Sequence, residues 1–124
     1  MPVRFGSTYR CNLPPRHIWV VISDPAQNNG RFVFVNLTTF GAHCVDDACL
    51  LENSDYPPYI TQRTTVAFSR FNIGNVTGME ELVSRGAFYE MPCIPIETLR
   101  KILRGARSST ELPKRAKDLL PPAP

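Results

Sequence analysis

The chain of 124 residues lacks any long hydrophobic run. Its densest apolar stretches, Ile18 to Ile22 and Phe32 to Val35, fall far short of the roughly 18 residues a membrane helix needs, so no segment is expected to span a bilayer. Several local enzyme motifs are missing too: a Gly-rich phosphate loop, a G-x-S-x-G elbow and an H-E-x-x-H pair. Nucleotide kinase, serine hydrolase and zinc protease readings lose their local support with them. Cysteine and histidine are scarce, 4 and 2 residues, and the cysteines do not form the two close pairs of a structural zinc site. Neither a metal nor a cofactor is expected. Glycine is outnumbered, 7 against 12 prolines. That many prolines exclude a mostly helical chain, because each interior proline removes an amide donor and clashes with the preceding turn.

What is present suits one globular domain: 43% hydrophobic and 20% charged residues, in a chain long enough to bury a core. The opening Met-Pro-Val-Arg-Phe-Gly has no secretory apolar run, so the expected compartment is the cytoplasm, with reduced thiols. A net charge of +3 conceals an asymmetry. Residues 1–96 carry seven Lys/Arg against eight Asp/Glu, while residues 97–124 carry seven against three. Such a basic end either attracts a polyanion or forms a solvated helix face.

The hydrophobic pattern is mainly that of strands. Residues 17–23, His-Ile-Trp-Val-Val-Ile-Ser, are β-branched and aromatic and end at Asp24-Pro25, so they read as a buried strand. Gln27-Asn28-Asn29-Gly30 has the chemistry to reverse the chain, and residues 31–39 read as the hairpin partner. Further strands are expected at 49–52, at 64–68 with a terminus near 72–75, and at 87–89 after a helical turn over 79–83. Ile96, Leu99, Ile102 and Leu103 recur at helical spacing, which predicts a helix over 96–104 with Pro95 at its start and Gly105 as its cap. Residues 111–120 read as a second short helix, and the closing Pro121-Pro122-Ala123-Pro124 as non-helical. Five to seven short strands with a C-terminal helix predict a small SH3-like barrel over 1–105, followed by a basic, proline-ending tail over 106–124.

Cationic and hydroxylic side chains are the remaining candidates for chemistry. Arg16 and His17 precede one hairpin strand and Thr38 and Thr39 end the other, so antiparallel pairing makes them neighbours. His17 is open to a role as general acid or base, or to a purely structural one. Arg63, Thr64, Thr65 and Arg70 on the later strand offer further cations and hydroxyls for a substrate phosphodiester, since guanidinium groups bind phosphate bidentately and stabilise charge growing on its oxygens. His43, Cys44 and Cys49 form one irregular cluster, open to a thiol- or metal-responsive role or to packing as small apolar groups.

The order of these elements resembles the MazF/PemK-like toxins. The likeness is carried by Gly6-Ser7-Thr8-Tyr9, by Arg16 leading the apolar strand to Ser23, and by Phe32-Val33-Phe34-Val35-Asn36-Leu37-Thr38-Thr39. Thr64-Thr65-Val66-Ala67-Phe68-Ser69-Arg70 is similar to the family's later Ser/Thr-Val-Val strand, and Ile94-Pro95-Ile96-Glu97-Thr98-Leu99 to its closing helix start. The resemblance implies an SH3-like barrel, a homodimer and metal-independent endoribonuclease cleavage of single-stranded RNA, as the toxin component of a type II system restrained by a protein antitoxin. It implies that Arg16 stabilises the phosphorane-like transition state, with Thr38 or Thr39 at its side. His17 stands where the family has proline. Phe68-Ser69-Arg70-Phe71 lacks the acid that some members carry there, and Arg10 to Pro15 is shorter than the family's first loop. The rival expectation is a non-catalytic barrel that binds nucleic acid or a protein partner, because a shared fold does not carry a shared activity.

Overall fold

The computed structural model of the chain describes residues 2–41 and 44–122. It is mainly β, as expected: six antiparallel strands in one curled, barrel-like sheet, with a few helices. In chain order these are β1 (Thr8–Cys11), β2 (Ile18–Val21), β3 (Arg31–Thr39), β4 (Leu50–Leu51), β5 (Thr64–Asn75), α1 (Val76–Ser84), β6 (Phe88–Met91), α2 (Ile96–Ser108) and α3 (Lys114–Lys117). The sheet order is β4-β5-β3-β2-β1-β6. The expected hairpin is β2 against β3, in a register that sets Ile18 opposite Leu37 and Val21 opposite Phe34. Asn29 and Gly30, at φ 55° and 83°, make the reversal between them.

The two strands read as nearly continuous apolar runs because both faces of the sheet are covered. Val33, Val35 and Leu37 point into the main core with Ile18, Val20, Val66, Phe68 and the α2 residues Leu99, Ile102 and Leu103. Phe32 and Phe34 alternate to the other face, where they meet Tyr9, Val21 and Met79 of α1. Each such large side chain, once buried, contributes about 1.5–3 kcal/mol from removal of apolar surface from water.

The connections follow from local chemistry. Asn75 caps α1 by accepting from the Gly78 amide at 2.8 Å. Gly86, at φ 75°, ends that helix and turns the chain into β6. On α2 the expected apolar face is buried except at Ile96, which lies in the first turn and is 55% exposed. The helix does not stop at Gly105 but runs on to Ser108. Gly105 serves instead as a contact point: a Cβ there would lie 2.7 Å from Cys49 Cβ and 2.8 Å from the Ala48 carbonyl oxygen. The missing side chain lets α2 approach the segment entering β4.

The basic segment after residue 105 is packed against the sheet and α2. Leu112 and Ala116 join the main core. Lys117 Nζ donates to the carbonyls of Arg107 at 3.1 Å and Ser109 at 2.7 Å, and the Arg115 guanidinium lies 4.9 Å from the centre of the Phe71 ring. No helix among the described residues is long and apolar enough to cross a membrane.

Candidate active site

At one end of the β2–β3 pairing the chain enters β2 and leaves β3. Because the strands are antiparallel, Arg16 and His17 meet Thr38 and Thr39 there, around a cavity of about 210 Å³. Thr64 lines the same cavity from β5, where it pairs with Thr39. Arg10 on β1, opposite Ile18, adds a second guanidinium, and the loop between β4 and β5 closes the cavity with Tyr59, Ile60, Thr61 and Gln62. Two arginines, one histidine and several hydroxyls therefore share one concave surface, with no carboxylate among its lining residues. An anion entering it meets positive charge and hydrogen-bond donors without a competing negative side chain.

The individual groups differ in readiness. Arg16 is exposed and makes no hydrogen bond or ion pair among the described residues, so its five donors are available to a ligand. His17 is half-buried. Burial lowers its pKa from 6.5, and the positive charge of Arg70 lowers it further, while hydrogen bonding to the Leu37 backbone pulls it partly back. The imidazole is consequently neutral at pH 7 and able to accept a proton. Gln62 Nε2 donates to Thr39 Oγ1 at 3.2 Å, and Thr64 Oγ1 donates to the Gln62 carbonyl at 3.0 Å.

The other expected substrate-binding residues are placed elsewhere. Arg63 leans away into an exposed ion pair with Glu52 at 2.8 Å. Thr65 is fully buried and donates to the Asp46 carbonyl. Arg70 lines a larger cavity of about 590 Å³, although its charge reaches His17. Asp46, Asp47 and Glu111 also line that larger cavity. Three carboxylates repel a polyanion, so an anion is better suited by the smaller, arginine-lined cavity despite its size.

Sequence pattern does not single out Arg10, Tyr59 or Gln62. Arg10 reads as part of a loop, although the run Thr8-Tyr9-Arg10-Cys11 carries enough β-propensity to extend the first strand over it. Tyr59 and Gln62 follow Pro57-Pro58, where nothing in the local pattern points to a site.

The cysteines are not paired with one another. All four are free thiols. Cys49 is buried, and burial pushes its pKa up to about 11, which leaves it a protonated, unreactive group. Among the described residues no three His, Cys, Asp or Glu side chains are grouped to hold a metal, and His43 lies outside the described residues. No family model, no curated protein and no solved structure matches the chain.

Proposed function

We propose that this protein is a metal-independent endoribonuclease of the MazF/PemK type, the toxin of a toxin–antitoxin pair, acting on single-stranded RNA as a homodimer. The observation that carries the reading is the convergence of Arg16, His17, Thr38 and Thr39 on one cavity that has cations and hydroxyls but no carboxylate. A phosphodiester fits that lining, and the two guanidinium groups of Arg10 and Arg16 complement the extra negative charge of a phosphorane.

The chemistry needs only these groups and the RNA. Neutral His17 takes the proton from a ribose 2′-hydroxyl, whose oxygen attacks the adjacent phosphorus. The bond from phosphorus to the 5′-oxygen of the next nucleotide breaks, and that oxygen takes a proton from solvent or from the imidazolium. The products are a 2′,3′-cyclic phosphate and a free 5′-hydroxyl. Arg16 and Arg10 hold the non-bridging oxygens while Thr39 donates to one of them. No carboxylate is called for, because the histidine carries the proton transfer itself.

Incubating the purified protein with a long single-stranded RNA in EDTA tests the reading. Discrete cuts that end in cyclic phosphate, and that are lost in Arg16→Ala, support it. RNA left intact across many sequences, with the barrel folded, leaves a binding module in its place.

A further inference from the structure

Phosphate chemistry accounts for the arginines, the histidine and the threonines of the cavity, but not for its aromatic wall. Tyr59 is 37% exposed and lines the same cavity as Arg16 and His17. Its ring is backed by that of Tyr56, with centroids 4.9 Å apart and planes inclined by 42°. Tyr56 itself is buried, and its hydroxyl donates to the Pro92 carbonyl. The loop that carries both rings is anchored at several points. Glu52 and Asp55 cap each other's backbone, Asp55 is paired with Lys101 at 3.1 Å, and Asn53 Nδ2 donates to the Ile60 carbonyl. Thr98 Oγ1 adds a bond from α2 to the Asp55 carbonyl.

An exposed aromatic ring on a fixed loop, next to a phosphate site, is what an unpaired nucleobase requires. Every base has a π-face, and a ring already held in place loses little freedom when a base settles on it. We propose that Tyr59 is a stacking platform for one unpaired base flanking the phosphate held by Arg16, and so confines the enzyme to single-stranded RNA. In a duplex that base is stacked on its neighbours and its face is not offered. This inference rests on the ribonuclease reading.

The test uses a short fluorescein-labelled RNA made uncleavable by 2′-O-methyl groups, with binding read by fluorescence anisotropy. Tyr59→Ala is expected to weaken binding roughly 5- to 150-fold, the range of one base–aromatic stack, while Tyr59→Phe stays near wild type. In a second arm, each base in turn is replaced by an abasic ribose. One position should cost the wild type the same factor, and at that position Tyr59→Ala should lose nothing more. The abasic scan on the wild-type protein separates the outcomes even if Tyr59→Ala does not fold. If the wild type binds the probe and cleaves ordinary RNA, yet every abasic position costs alike or Tyr59→Ala binds unchanged, stacking on Tyr59 is wrong while the ribonuclease reading stands. If the wild type neither binds nor cleaves RNA, both fall together.

Discussion

Gln62 Nε2 donates to Thr39 Oγ1 across 3.2 Å, joining the β4–β5 loop to the last residue of β3. Because one lone pair of the hydroxyl is taken by the amide, its hydrogen is left to point at a ligand. Thr39 thereby becomes an oriented donor at the cavity. Thr39→Val should lower kcat/KM for RNA cleavage about 10- to 100-fold, the worth of one hydrogen bond to a charged group. Gln62→Ala should cost less, since the hydroxyl remains but is no longer oriented. The double variant should be no worse than Thr39→Val alone, as expected for residues that act through one bond. Fully additive losses in single-turnover cleavage would show that the two act separately. Both side chains belong to exposed residues, so each single change should shift unfolding free energy by less than about 0.5 kcal/mol.

His17 links the site to pH. Its folded-state pKa lies below 6.5, chiefly through burial and then through Arg70. The unfolded chain therefore takes up the proton first as the pH falls. Stability from this group is fully present above pH 6.5 and declines as the pH drops through the window between 6.5 and the lower folded value. Cleavage should follow the same direction, flat at neutral pH and falling once the imidazole is protonated. His17→Gln should lower the rate by about 10²–10⁴ and remove the acid limb of the profile. It should also flatten the decline in stability, measured by urea unfolding at about pH 8 and about pH 5. An acid limb that survives in His17→Gln would assign the base to another group.

Much of this arrangement was legible in the sequence where the chain obeys short-range rules. The hairpin from residue 17 to 39 announces itself by its β-branched runs and its Asn-Asn-Gly reversal, and antiparallel pairing alone brings Arg16 and His17 to Thr38 and Thr39. Long-range packing was not legible. Whether Thr65 faces the cavity or the interior depends on the one-residue alternation along β5, and whether Arg63 reaches a substrate depends on Glu52 eleven residues away. The charge excess near the C-terminus left a polyanion site and a solvated face both open. The structure occupies several of those cations internally: Arg107 on the Pro121 carbonyl, Arg115 over Phe71, and Lys117 on the carbonyls that end α2.

Gly105 exposes the limit of local rules most clearly. Helix propensity alone makes Gly105→Ala stabilising by about 0.8–1 kcal/mol. The added Cβ would meet the Ala48 carbonyl oxygen at 2.8 Å and Cys49 Cβ at 2.7 Å, both closer than van der Waals contact allows. Neither neighbour is the loose end of a flexible side chain, so α2 or the β4 approach must shift, at a typical overpacking cost of about 1–3 kcal/mol. Offset by the propensity gain, the expected net result is a loss of up to about 2 kcal/mol in urea unfolding, with the slope unchanged. A more stable Gly105→Ala would mean that α2 and residues 48–49 are not in close contact.

The segment after α2 gives a final test of how the core is built. Leu112 is 2% exposed and packs in the same cluster as Val66, Phe68 and Leu103. Leu112→Ala should therefore cost about 2–5 kcal/mol, the range for a buried leucine whose cavity does not collapse. Lys114 is the control: its side chain is 88% exposed and, among the described residues, pairs only with Asp118 on the surface, so Lys114→Ala should stay within about 0.5 kcal/mol of wild type. If the segment were a detachable basic tail, the ranking would reverse, with Leu112→Ala silent in thermal unfolding and Lys114→Ala felt in RNA affinity. A chain ending at residue 105 sharpens the comparison. It loses Leu112 and Ala116 from the core together with the Lys117 bonds that cap α2, so it should fail to show a cooperative unfolding transition.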